Sequence, residues 1–271
     1  MSDCNHDCAN CKSKCETPDS LIEKTHQGSN VKKVIAVVSG KGGVGKSLVT
    51  GLLASRMTAF GAKCAVLDAD ITGPSVPRMF GVRGMLTGDE NGILPVESVK
   101  GVKIVSSNLM LEDETDPIIW RGPMIAGMVK QFWTDVIWGD VDYMFVDCPP
   151  GTGDVPLTVF QSIKVDGIIV VTSPQELVSM IVAKAVKMAS LMNVPIIGLV
   201  ENMSYVKCGD CGKEIDIFGS SKVNEVALSY GLKVLAKLPI DPTIAKAVDK
   251  GLIEDIDVPY VDEAIEVIKK L

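Results

Sequence analysis

The run Gly40-Lys41-Gly42-Gly43-Val44-Gly45-Lys46-Ser47 sets four glycines ahead of a lysine and a hydroxyl. That spacing suits polyphosphate. Glycine has no side chain, so consecutive backbone N–H groups can curl round phosphate oxygens, and a helix beginning there adds its favourable amino end. Lys46 would reach the β- and γ-phosphates, and the Ser47 hydroxyl would ligate Mg2+.

Acidic residues that could complete such a site end two apolar runs. Tyr143-Met144-Phe145-Val146 leads into Asp147, and Ala65-Val66-Leu67 leads into Asp68-Ala69-Asp70. A carboxylate ending a buried strand beside a phosphate loop holds Mg2+, usually through water, and Asp147 is assigned that role. Asp68 and Asp70 stay open: either could face the metal or the attacking water, or they shape the turn into Ile71-Thr72-Gly73-Pro74. Residues 147–154 form a loop whose glycines permit movement that depends on the γ-phosphate.

Eight cysteines fall unevenly: Cys4, Cys8, Cys11 and Cys15, then Cys64 and Cys148, then Cys208 and Cys211. Such clustering points to metal rather than disulfides. Cys208-Gly209-Asp210-Cys211 offers two thiolates round a tight turn, able to grip a soft metal or one edge of a cluster. They make half of a four-thiolate shell, and the surrounding sequence offers no further Cys or His. A second copy across a two-fold axis would complete it, and another part of the chain is the alternative. Iron–sulfur and zinc both accept four thiolates, and a redox pair needs no metal, so spacing leaves these open. The amino-terminal four suffice for one complete cluster; zinc or a thiol reservoir are the other readings. His6 and His26 are either substitute ligands or solvated. Cys64, in an apolar run, and Cys148, beside Asp147, read as structural.

These residues need a scaffold. Continuous apolar runs at 34–38, 64–67, 102–105, 143–146, 167–171, 195–200 and 234–238 read as strands buried on both faces. Helix-period stretches at 48–60, 123–137, 176–192, 222–230, 244–250 and 262–270 alternate with them. The alternation predicts an α/β P-loop NTPase with a largely parallel central β-sheet flanked by helices. Residues 1–30, polar and without periodicity, read as a flexible Cys-rich tail, and residues 31–271 as one ATPase domain. Trp120, Trp133 and Trp138 read as packing or interface residues.

Composition bounds the function. Hydrophobic residues make up 46% of the 271, too many for disorder, and a net charge of −7 argues against general nucleic-acid binding. Residues 1–30 lack the apolar stretch of a signal peptide, and no uninterrupted apolar run of about 18 residues occurs. A cytoplasmic protein with neither nucleic acid nor membrane as partner is expected.

Lys41, second in the phosphate loop, gives the deviant Walker A form of the MinD-like P-loop ATPases. From about residue 31 to 271 the chain resembles, more closely, the Mrp/ApbC-type iron–sulfur cluster carrier branch. The supporting segments are residues 68–77, 120–124, 147–154, Glu201-Asn202-Met203-Ser204 and the later Cys-x-x-Cys. The resemblance implies ATP hydrolysis by a homodimer in which Lys41 reaches the partner's phosphates. It implies Asp70 as the residue orienting the hydrolytic water, Asp68 nearer the Mg2+, and Asn202 with Pro239-Ile240-Asp241 around adenine. From the residue alone, Asn202 is a bidentate amide for a purine edge or a plain turn residue. The resemblance favours a bridging 4Fe-4S cluster on Cys208 and Cys211 of both chains over zinc, with delivery to apo iron–sulfur proteins. Movement of loops 68–77 and 147–154 would then alter the cysteine geometry.

Two other functions compete. A MinD/ParA-like positioning ATPase needs a basic or amphipathic end, and residues 261–271 carry Asp262, Glu263 and Glu266 against Lys269 and Lys270. An ATP-dependent electron donor would also bridge a cluster across a dimer, but it would reduce a partner rather than transfer the cluster.

Overall fold

The computed structural model describes residues 22–71, 73–111, 122–151, 153–174 and 178–271. Cys4, His6, Cys8, Cys11, Cys15, Thr72, Trp120, Arg121 and Thr152 lie outside the described residues. Strands are β1 (Ser29–Ser39), β2 (Cys64–Asp68), β3 (Thr87–Asp89), β4 (Gly92–Leu94), β5 (Val96–Glu97), β6 (Lys103–Val105), β7 (Gly139–Asp147), β8 (Gly167–Thr172), β9 (Ile196–Glu201), β10 (Val206–Lys207), β11 (Glu214–Ile215) and β12 (Val234–Lys237). Helices are α1 (Lys46–Ala59), α2 (Val76–Met79), α3 (Gly122–Thr134), α4 (Asp154–Ser162), α5 (Val178–Leu191), α6 (Val223–Ser229), α7 (Pro242–Asp249) and α8 (Asp262–Ile268).

Eight strands form one sheet in the order β12-β9-β8-β1-β7-β2-β6-β5. Every pairing in it is parallel except that of edge strand β5 with β6. Parallel neighbours require crossovers, and helices cover both faces. Alternation along β1 divides the core between them. Val34, Ala36 and Val38 pack on the side of α3, α4, α5 and α6, while Ile35 and Val37 pack on the side of α1, α2, α7 and α8. Burying each of these valine and isoleucine side chains contributes about 1.5–3 kcal/mol relative to exposure.

The docked chain begins earlier than the apolar run suggests. Ser29, Asn30 and Val31 pair with Gly139, Asp140 and Val141, lengthening β1 at its start. Before that, the Glu23 N–H donates to the Ser162 carbonyl at 2.8 Å, and the Trp133 indole N–H donates to the Glu23 carbonyl at 3.0 Å. The Glu23 carboxylate also meets Lys130 Nζ at 2.5 Å. Helix α3 stops at Thr134, short of its apolar periodicity, because Val136 bridges Ile93 and the Ile137 N–H donates to the Ile93 carbonyl.

Register brings five strand ends to one edge. Asp68 lies opposite Asp147, Val37 opposite Asp147, Ser39 opposite Val171, and Thr172 opposite Glu201. The loops that follow these strands therefore open into one crevice at the carboxyl edge of the sheet, where α/β folds bind ligands.

Candidate functional site

Helix α1 starts at Lys46 behind Gly45, whose φ of 83° lies in the left-handed region that glycine adopts without a Cβ penalty. Space is equally restrictive. A Cβ on Gly45 would lie 2.1 Å from Asn202 Nδ2, and one on Gly40 would lie 2.5 Å from the Ile181 side chain. The phosphate loop is thus wedged between α5 and the turn after β9. A cleft of about 450 Å³ opens over it, lined by Gly42, Gly43, Lys46, Ser47, Asp70 and Arg78 among others.

Inside the cleft the charges are concentrated. Lys46, 6% exposed, places Nζ 2.6 Å from Asp147 Oδ1 and 3.6 Å from Asp70 Oδ2. Ser47 Oγ donates to Asp147 Oδ2 at 2.5 Å, and Thr50 Oγ1 lies 3.0 Å from Asp147 Oδ1. Asp68 accepts from Ser106 Oγ at 3.1 Å and from the Asp70 N–H at 3.2 Å. Burial, helped by the Asp147 charge and opposed by Lys46, pushes the Asp68 carboxyl up to about 8. Burial raises Asp70 as well. For Lys46, burial works downward, but Asp147, Asp70 and Asp68 outweigh it and the ammonium pKa is raised. Three carboxylates face one ammonium. Hard oxygen donors in that surplus fit a divalent cation such as Mg2+.

A second cavity of about 350 Å³ adjoins the first, and the two share Leu48, Val248 and Asp249. Leu238, Pro239, Ile240, Ile244 and Ala245 line it with apolar surface. At its margin the buried Asn202 donates from Nδ2 to the Val44 carbonyl at 3.0 Å, leaving Oδ1 to accept. The Asp241 carboxylate accepts from the Thr243 N–H at 2.8 Å and from Thr243 Oγ1 at 2.7 Å, so it caps α7. An apolar slot edged by one amide suits a flat heteroaromatic base.

Beyond Asn202 the chain runs directly into β10 and the cysteine hairpin. The Cys208 N–H donates to the Lys213 carbonyl and the Gly212 N–H donates to the Cys208 carbonyl, both at 2.9 Å, with Gly212 at φ 70°. Cys208 is half-buried and Cys211 exposed. The Cys211 N–H, then that of Asp210, then the Cys211 thiol hold the Cys208 pKa below the usual thiol value. Thiolate is the metal-binding form. Burial drives Cys64 and Cys148 the other way, to about 12, which fits structural roles. No other described His, Cys, Asp or Glu joins Cys208 and Cys211 in a group of three that could hold a metal.

The structure therefore brings Lys46, Ser47, Asp68, Asp70 and Asp147 together, and gathers Asn202, Pro239 and Asp241 round the adjoining slot. Lys41 does not line the cleft of its own chain. Trp138 is fully buried and Trp133 nearly so, their indole N–H groups donating to the Phe132 and Glu23 carbonyls, so both are packing residues. Sequence reasoning missed Thr50, Ser106 and Arg78, and quoted Glu201 only within the segment 201–204, with no role. Thr50 stands one helical turn after Lys46, a face that periodicity could have flagged. For Arg78 and Ser106 no spacing rule gives a signal.

Residues 30–271 match the family described as "ParA: NUBPL iron-transfer P-loop NTPase". A Clostridium perfringens protein named iron-sulfur cluster carrier protein is 43% identical over 267 residues, spanning 92% of this chain and 93% of that protein. One of the same name from Methanocaldococcus jannaschii is 42% identical over 262 residues, spanning 93% and 90%. Among solved structures, a nucleotide-binding protein of Archaeoglobus fulgidus in complex with ADP, with Co, is 40% identical at a TM-score of 0.77, covering 85% of this chain and 90% of that one. The septum site-determining protein MinD of Pyrococcus horikoshii, complexed with Mg-ADP, is 20% identical at a TM-score of 0.59, covering 88% and 95%, and shares the fold.

Proposed function

The chain belongs to the NUBPL iron-transfer family of P-loop NTPases, and we propose that it hydrolyses ATP to load an iron–sulfur cluster and pass it to apo-proteins. One observation carries this reading. The turn that edges the base slot, at Asn202, and the cysteine pair, at Cys208, belong to one short continuous segment.

Residues Gly40–Ser47 cradle the triphosphate, and Lys46 leaves Asp147 for the phosphate oxygens. Ser47, Asp68 and Asp147 would hold Mg2+, which neutralises phosphate charge when bound. Asp70, at the cleft wall 3.6 Å from Lys46, orients the attacking water. Lys41, one residue before the cleft-lining Gly42, reaches the partner's phosphates in a homodimer. In the slot, Asn202 Oδ1 accepts from the exocyclic amine of adenine; guanine presents a carbonyl there and is disfavoured. Pro239 contributes slot wall, while Asp241 acts through its cap on α7.

The cargo is a 4Fe-4S cluster bridged by Cys208 and Cys211 of two chains. Two thiolates per chain, with no third ligand among the described residues, support that reading. The expected tail boundary at residue 30 moves back, because the chain is docked from Glu23 and β1 begins at Ser29; ahead of that anchor, Cys4, Cys8, Cys11 and Cys15 bind a further cluster. The protein works in the cytoplasm. No described helix is long and apolar enough to cross a membrane. Helix α8 buries Ala264, Ile265 and Ile268 in the core, so its apolar face is taken up by packing.

Anaerobic reconstitution with iron and sulfide, followed by transfer to an apo iron–sulfur enzyme, tests the proposal. Recovery of that enzyme's activity should depend on ATP and on the Cys208–Cys211 pair. Equal transfer with no nucleotide, ADP and ATP would remove the coupling from the proposal.

A further inference from the structure

Glu201 ends β9 with no exposed surface, at the root of the loop that carries the cysteine pair. Its Oε2 accepts from Ser204 Oγ at 2.6 Å, and its Oε1 accepts from Ser221 Oγ at 2.7 Å. Ser204 lies on the way out to Cys208, and Ser221 on the way back from Cys211. Ser221 Oγ in turn accepts from the Val223 N–H at 3.2 Å, at the start of α6. One carboxylate thus ties both stems of the loop to the end of β9.

The same strand end grips the nucleotide side. Asn202, the next residue, holds the Val44 carbonyl of the phosphate loop, and its N–H donates to the Thr172 carbonyl at 2.8 Å. Backbone bonds from Ser204 to Leu238 and from Ile240 to Tyr205, each 2.8 Å, stitch the entry stem to the wall of the slot. Between Asn202 and Ser204, Met203 sits at φ 57°, a left-handed conformation uncommon for such a side chain. It persists because bonds on both sides over-determine the turn. Further out, Lys207 Nζ lies 5.9 Å from the Tyr205 ring and 5.6 Å from the Tyr260 ring, steadying the outgoing strand.

We infer that Glu201 is a positioning residue through which a nucleotide in the slot and a metal at Cys208–Cys211 sense one another, an inference that rests on the carrier function proposed above. A base that shifts Asn202 moves the Met203–Ser204 turn, and Glu201 passes that movement to Ser221 and the returning stem. Both stems are then driven from the same carboxylate, so the movement is transmitted to the two thiols. Without the Ser221 leg only the outgoing stem follows, and the hairpin absorbs the movement by pivoting. Coupling of this kind is reciprocal: each ligand alters the affinity of the other by the same factor.

Titration of the full chain with Co2+, read by thiolate charge-transfer absorption at fixed protein concentration, tests the inference with and without ADP or a non-hydrolysable ATP analogue. Wild type should show a nucleotide-dependent change in Co2+ affinity of about tenfold, within the usual span of allosteric coupling. Ser221→Ala should bind each ligand alone as wild type does, while the change shrinks to less than about twofold. Ser221→Thr, which keeps the hydroxyl, should restore it. A full-sized change in Ser221→Ala overturns the inference, and so does a wild type that binds both ligands with no change. Should Ser221→Ala fail to fold, Ser204→Ala removes the other leg and is read the same way. A wild type lacking the thiolate band or ADP binding would instead defeat the carrier function itself.

Discussion

Asp68 and Asp147 are register partners at the ends of β2 and β7, two carboxylates side by side with no exposed surface. Like charges so close cannot both ionise cheaply in a buried site, and Lys46 pairs directly with only one of them, Asp147. Asp68 consequently keeps its proton until about pH 8.

That raised value sets the sign of a pH effect. The folded state holds the Asp68 proton more tightly than the unfolded chain, where the pKa is near 3.8. Its contribution to stability is fully present below about pH 4 and is lost as pH rises through about 8. Asp68→Asn stays neutral, so in Mg2+-free urea unfolding the wild type should lose stability relative to the variant between about pH 4 and 8. Parallel curves would contradict the buried pairing.

Removing the ammonium exposes the other half of the relationship. Lys46→Met leaves Asp147 buried without its ion pair and should lower stability by about 3 kcal/mol, with ATP turnover falling at least about 100-fold. Lys46→Met with Asp147→Asn should regain much of the stability and none of the turnover. Recovery of both would mean that Lys46 acts only on folding.

The wedge at Gly45 gives a double-mutant test. Gly45→Ala meets Asn202 Nδ2 and a φ of 83°, and ADP affinity should drop more than about tenfold. Adding Asn202→Ala removes the collision and leaves the left-handed cost of about 1 kcal/mol. Isothermal titration of the four proteins should show less than additive loss. Strict additivity would mean that the two side chains do not meet.

Cys208→Ser with Cys211→Ser should cut the iron and sulfide retained after anaerobic reconstitution while the metal-free protein binds ADP normally. Deleting residues 1–21 alongside should remove what iron remains. Iron that survives the double substitution unchanged would dismiss the bridging site.

The sheet was legible because parallel strands buried on both faces are unbroken apolar runs, as at Val34–Val38, and the phosphate loop because glycines must precede Lys46. Helix α4 escaped notice, since it is short, carries Pro156 and follows a glycine-rich loop. The hairpins β3–β4 and β10–β11 are only two or three residues a side, although Asn91-Gly92 was an available turn signal. Within the site, local spacing revealed Lys46, Ser47 and the strand-end aspartates. The grip of Asn202 on Val44 and the reach of Glu201 to Ser221 are contacts across strands or loops. No local pattern encodes those.

Glu23, held by Trp133, Ser162 and Lys130, fixes the point at which the cysteine-rich stretch joins the amino edge of the sheet. Along β1 alone, Ser29 to Ser39 rises about 33 Å. The Cys208–Cys211 hairpin departs from the other end of the strands, past Glu201 at the close of β9. The two cysteine groups are thus joined to opposite edges of one sheet, the first ahead of Glu23 and the second beyond the nucleotide crevice.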